Sequence, residues 1–207
     1  MLSYYSKKYP QAQTFSSLKL ALETNLFSGF VVATPAKLHY EIAKEIILAK
    51  KHVLVEKPIA LKIEHAKELM NLSNQNSVNL MVGHILLFHP AMIKIKKMIK
   101  EGRIGSLQYI YSNRLNLGTI RSEENVFWSL APHDISIFQF FTESFPNNIN
   151  AIGSAFVQKK IHDCTITHLT YPNGISSHIF VSWLHPFKEH RLVIIGSEGM
   201  ITFEDAI

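Results

Sequence analysis

Three short apolar runs, Gly29-Phe30-Val31-Val32-Ala33, Val53-Leu54-Val55 and the run at 79–82, alternate with segments of helical period, and that alternation limits the fold more than any other feature of the chain. Each run is too short for a helix and rich in β-forming residues. Between the first two, Ile42, Ala43, Ile46 and Ile47 recur at helical spacing, and a further helix is predicted over 64–74. Strand–helix–strand connections of this kind are right-handed and set successive strands side by side in parallel, with helices laid over the sheet. The unbroken apolar character of 29–33 predicts a strand buried on both faces. Upstream, 4–9 is weakly helical, and Ser16-Ser17 offers a hydroxyl cap to a helix-forming run ending at Glu23.

The second run passes directly into Glu56-Lys57-Pro58. Ligands of open α/β sheets bind beyond the carboxyl ends of the strands, so these two charges are aimed at a candidate site. Proline fixes its own φ, biases Lys57 away from helix and makes a cis bond accessible. A surface Glu-Lys pair closing a strand is the plain alternative. Thr34-Pro35 ends the first strand in the same manner, and Thr34 is a candidate helix cap.

From Ser106 the period changes. Segments 107–112, 151–158, 164–169 and 175–183 read as strands of a largely antiparallel sheet, with Pro172-Asn173-Gly174 as a hairpin turn and a last strand near Met200-Ile201-Thr202-Phe203. A long polar loop is expected over 114–127, then a helix over 132–141 whose Ile135, Phe138 and Phe141 face a core. The expected fold is therefore α/β plus α+β: a partial doubly wound parallel-sheet domain over 1–88, then an open-sheet domain over 89–207.

Composition excludes several classes. A hydrophobic fraction of 47% supplies a core, and a charged fraction of 18% is too low for a disordered chain. No apolar run reaches the ~18 residues of a membrane span, and the first eight residues lack the pattern of a signal peptide. A single cysteine, Cys164, excludes an internal disulfide framework. A cytoplasmic protein with no membrane partner is expected. The net charge of +5 invites an anionic partner, but Lys94, Lys96, Lys97, Lys100 and Arg103 lie opposite Met92, Ile95 and Ile99, as on an ordinary solvated helix face. With no stacked-aromatic platform beside them, nucleic acid is not the expected partner. His162, Asp163, Cys164 and His168 cluster without the spacing of a closed zinc motif, so no metal is expected.

Ala33-Thr34-Pro35 with His39, an amphipathic helix, and His52-Val53-Leu54-Val55-Glu56-Lys57-Pro58 resemble the Gfo/Idh/MocA oxidoreductases. Val82-Gly83-His84, Phe88, Pro90, Ile104-Gly105, the stretch from Trp128 to Asp134 and Trp183-Leu184-His185-Pro186-Phe187-Lys188 follow in the family's order, so the resemblance covers nearly all of the chain. It is similar above all to the nucleotide-sugar branch, the UDP-N-acetylglucosamine 3-dehydrogenases and their relatives.

The resemblance implies NAD, with NADP left open, bound by Ala33, Thr34, Pro35, His39, Glu56, Lys57, Pro58 and His84. It implies Lys57 and His133 as catalytic residues converging on one substrate hydroxyl. Histidine titrates near neutrality, and a positive nicotinamide ring favours a neutral lysine, so either can be the base. Ser129 stands where many members carry aspartate, and Leu86-Leu87 where many carry arginine. For a sugar nucleotide, Arg114, Arg121, Lys188 and Arg191 are the expected phosphate cations, with Asn116, Asn125 and Trp128 toward the sugar. A homo-oligomer paired through the second domain's sheet is implied as well. No G-x-G-x-x-G occurs anywhere in the sequence, and Gly29 is its first glycine; the chain is therefore expected to begin inside the family's first domain and to bind NAD poorly alone. A catalytically silent fragment and a sugar-nucleotide binding module are the rival expectations.

Overall fold

The structure, a computed structural model, describes residues 2–122 and 124–205, and it divides into two units, Met1–Gly83 and His84–Ile207. In the first, α1 (Leu2–Lys8) and α2 (Leu18–Glu23) precede β1 (Gly29–Val32), α3 (His39–Leu48), β2 (His52–Val55), α4 (Ile63–Gln75) and β3 (Leu80–Val82). Ser17 caps α2, its Oγ accepting the Leu20 N–H at 3.3 Å. The strands pair in parallel in the order β1-β2-β3, as the alternation of short runs and helices predicts.

Both crossover helices contribute to one core, where Ala43, Ile46, Ile47 and Leu69 pack with Val32, Val53 and Val55. The next row across the sheet, Val31, Leu54 and Met81, is in register on the other face, and there Val31 is 70% exposed. The expectation that β1 is buried on both faces therefore fails: both helices pack on the face that carries Val53 and Val55. Thr34 is not a cap either. A 3₁₀ turn, Ala36–Leu38, follows Pro35, and α3 starts after Leu38 with no side-chain capping bond.

The second unit comprises α5 (Pro90–Lys100), β4 (Leu107–Leu117), α6 (Val126–Thr142), β5 (Asn148–Ser154), β6 (Cys164–Thr170), β7 (Ser176–Ser182), β8 (Leu184–Gly196) and β9 (Met200–Glu204). They form one sheet in the order β5-β6-β7-β4-β8-β9, in which only β4 and β7 are parallel. The predicted hairpin joins β6 to β7, with Gly174 at φ +81°, a left-handed conformation that glycine adopts without a Cβ clash. Ile110, Ile179, Val181, Leu192 and Ile194 of the sheet pack with Ala131, Ile137, Phe138 and Phe141 of α6.

Several expectations are corrected here. The loop expected over 114–127 is shorter, with both its ends in regular structure: β4 runs on to Leu117, so Arg114 and Asn116 lie on a strand. Helix α6 begins at Val126, where Asn125 Oδ1 accepts the Trp128 N–H at 3.0 Å, and it carries Pro132 in its interior. Burial of Val126, Ala131, Ile137, Phe138 and Phe141 offsets the backbone bond that proline removes. Ile135 is 38% exposed; Ile137 faces the core in its place. The strand expected at 151–158 is β5, shifted toward the amino end, and β8 was not anticipated as a strand at all. Lys96 does not belong to the solvated face of α5: it is buried, donates to the Phe141 carbonyl at 3.2 Å and pairs with Glu143 at 2.8 Å. Its partner's carboxyl is held down at about 2 by bonds from Lys96 and Lys100.

Candidate active site

In the first unit the site residues gather by register. The Glu56 N–H donates to the Val32 carbonyl at 2.9 Å and the Gly83 N–H to the Val55 carbonyl at 2.8 Å, so the ladder carries β1, β2 and β3 to a common end. Ala33, Thr34 and Pro35 leave β1 there, exposed. Glu56 and Lys57 leave β2 half-buried, followed by a buried Pro58 on a cis bond. A Cβ on Gly83 would lie 3.2 Å from Glu56 Oε2, so the missing side chain lets the Glu56 carboxylate rest against the end of β3. His39, at the start of α3, is 1% exposed; its Nδ1 is 2.7 Å from the Pro58 carbonyl oxygen and its Nε2 2.7 Å from that of Thr34. It joins the two turns through their backbone.

In the second unit His84, half-buried, precedes a 3₁₀ turn, Ile85–Phe88. His133 lies one residue past Pro132, inside α6 rather than at its start, and its carbonyl accepts the Ser136 hydroxyl at 2.7 Å. Asp134 is 1% exposed and receives both Arg114 Nε and Nη2 at 3.0 Å. This two-pronged pair pins α6 to β4 beside His133.

The expected phosphate cations are not all brought together. Arg121 pairs with Glu124 at 3.2 Å in the loop, and Arg191 with Glu204 at 2.9 Å on the opposite face of β8 from His190. Asn125 is the cap of α6, Trp128 is exposed on it, and Asn116 lies near the end of β4, exposed. Arg114 and Lys188, by contrast, share a neighbour that the sequence reading missed. His190 stands opposite Arg114 in the β4–β8 register, and burial, then the charges of Arg114 and Lys188, push its imidazole below the ordinary histidine range. The alternation of Lys188 and His190 along a strand was the available signal, legible only once 184–196 is read as β. Among the described residues no group of three or more His, Cys, Asp or Glu side chains is placed to hold a metal ion, and no helix is long and apolar enough to cross a membrane. In the cluster considered for zinc, Asp163 Oδ2 accepts the Phe156 and Val157 N–H groups at 2.8 Å, and His168 bonds Ser176 at 2.7 Å.

Comparison with known proteins agrees with this division. Residues 6–84 match an oxidoreductase family with an NAD-binding Rossmann fold, and residues 92–202 match the GFO/IDH/MocA C-terminal domain. The chain is 26% identical over 210 residues to the 2,7-anhydro-N-acetylneuraminate hydratase of Escherichia coli (strain K12), covering 94% of this chain and 56% of that protein. It is 28% identical over 152 residues to the UDP-N-acetylglucosamine 3-dehydrogenase of Acidithiobacillus ferrooxidans, covering 73% of this chain and 47% of the relative. The crystal structure of the WlbA dehydrogenase from Bordetella pertussis, in complex with NADH and UDP-GlcNAcA, shares its fold: TM-score 0.88 at 22% identity, over 99% of this chain and 63% of that one. The chain spans about half the length of these two curated relatives. With both parts matched in order, the chain belongs to the GFO/IDH/MocA family of oxidoreductases.

Proposed function

We propose that the chain provides the Lys57 and His133 machinery of an NAD-dependent dehydrogenase that oxidises a ring hydroxyl of an N-acetyl sugar, with C3 of a UDP-linked sugar as the specific reading. The observation that carries it is the turn after β2, where Glu56, Lys57 and a buried Pro58 stand at the carboxyl end of a parallel sheet inside a segment matching an NAD-binding fold. The residues fit such a cofactor: the exposed Ala33-Thr34-Pro35 turn and the Glu56 carboxylate, seated against Gly83, lie at neighbouring strand ends. When bound, NAD supplies the hydride acceptor. On the protein side, Lys57 or His133 takes the hydroxyl proton as the C–H bond breaks and the carbonyl forms. Arg114 and Asp134 fix the backbone beside His133, their charges spent on each other, and Lys188 on β8 is the cation offered to a diphosphate. Two of the relatives described above are named for N-acetyl sugars, which supports that substrate class.

The division of labour between a dinucleotide-binding domain over 1–88 and a substrate and oligomerisation domain over 89–207, a homo-oligomeric state and a cytoplasmic location belong to the same proposal. The test is calorimetric titration with NAD and UDP-N-acetylglucosamine, with NADH formation followed by absorbance, on a polypeptide extended to the length of its relatives. Lys57→Met is expected to slow NADH formation by ~10²–10⁴-fold. Binding of the sugar nucleotide without any NADH formation identifies a binding module and sinks the redox reading.

A further inference from the structure

His39 makes two contacts that a neutral imidazole cannot make together. Both partners, the carbonyl oxygens of Thr34 and Pro58, are acceptors only, and each lies 2.7 Å from a ring nitrogen. A neutral histidine has one N–H and one bare nitrogen, so one of these contacts would set two lone pairs face to face. Turning the ring over puts carbon at both positions and leaves both carbonyls without an N–H donor. The distances are short for N–H···O bonds and fall at the short end of the charge-assisted range. The side chain is 1% exposed, so the ring nitrogens have no water to bond in place of these carbonyls.

We infer that His39 is held as an imidazolium, a buried double donor that positions the Lys57–Pro58 turn against the Thr34–Pro35 turn. The inference rests on the proposed function only in giving that turn its importance; the contacts themselves do not depend on it. The reason for such a device lies in the sheet. The Glu56 N–H to Val32 carbonyl bond is a rung at the end of the β1–β2 ladder, and Pro35 and Pro58 have no N–H with which to extend it. Past that rung the two segments have a side chain, not backbone pairing, between them. The Pro58 carbonyl is one residue from Lys57, so the clamp fixes the direction in which the lysine leaves the sheet. His39 is thus a positioning residue, acting through backbone.

The direct test needs no cofactor. In the chain labelled with ¹⁵N-histidine at neutral pH, the ring nitrogens of His39 are expected to show the two matched N–H signals of an imidazolium, the assignment coming from through-bond correlation to its backbone amide. One bare, pyridine-like nitrogen would overturn the inference. A second arm compares the rate at which an amine-directed label modifies Lys57 in the wild type and in His39→Gln, read by mass spectrometry with Lys94 as internal reference. Release of the turn should raise the Lys57 rate about threefold or more, as local opening does, and leave Lys94 unchanged. An unchanged Lys57 rate in a folded His39→Gln chain would remove the positioning role. Failure of NAD to bind affects neither arm, so the proposed function and this inference can fail separately.

Discussion

The two units solve opposite problems with their sheets. Three parallel strands in the first are covered by α3 and α4 on one face, where Val53 and Val55 are 2% and 0% exposed, while Val31 and Met81 of the next row are 70% and 41% exposed. Six strands in the second unit carry a deeper core, in which Phe138, Ile110, Ile179 and Ile194 are fully buried. The residues proposed for redox chemistry therefore stand on the thinner scaffold, and those proposed for the substrate on the thicker. A site on a thin scaffold needs local ties, and the His39 clamp is one; a site on a thick scaffold can use buried charge, as Arg114 and Asp134 do.

Core substitutions test that difference most strongly. Phe138→Ala is expected to destabilise the six-stranded unit by ~3–5 kcal/mol in urea melts, since its ring is fully enclosed. Leu69→Ala, in the three-stranded unit, should cost ~2–5 kcal/mol by the same mechanism. If the first unit is the thinner one, that loss is the larger share of its stability and its amide protection should collapse first. A Leu69→Ala chain that keeps β2 protected while Phe138→Ala melts would invert the comparison.

Acid offers a subtler probe. The Glu143 carboxyl is lowered from 4.5 to about 2 by its bonds to Lys96 and Lys100. A depressed folded-state value adds stability above the unfolded value and loses it as the pH falls through the folded one. The second unit should therefore weaken between about pH 4.5 and 2, and Glu143→Gln should flatten that part of the curve. The smallest expected effect is Val31→Thr, within ~0.5 kcal/mol for a residue so open to water. A loss above ~1 kcal/mol would mean that something covers the row formed with Leu54 and Met81.

Much of this was legible in the residues because local signals and tertiary placement agree. The runs at 29–33, 53–55 and 79–82 became a parallel sheet because nothing else buries three such runs joined by helices. The cis Lys57–Pro58 bond was among the expectations and is found. Where the reading failed, tertiary packing overrode a local signal. Pro132 marked a helix start by propensity, yet the apolar residues from Val126 onward extend α6 through it. Lys96 read as surface because lysine usually is; the acceptors that bury it, Glu143 and the Phe141 carbonyl, come from the end of α6, far along the chain. Strand β8 was hidden because 184–190 carries a proline, two histidines, a lysine and a glutamate, and its pairing with β4 is not written in its own sequence.

That last strand carries a consequence for how the chain reaches its fold. β7 ends at Ser182 and β8 begins at Leu184, yet they are not neighbours: β4, made much earlier in the sequence, lies between them and pairs with both. Two adjacent segments with a tight connection are the quickest to zip into a local hairpin, whereas threading β4 between them requires closing a long loop first. The native sheet thus competes with a simpler arrangement that forms sooner and must be undone. Refolding of this unit should show a folding arm that bends over at low denaturant, the mark of a transient off-register pairing that slows the search.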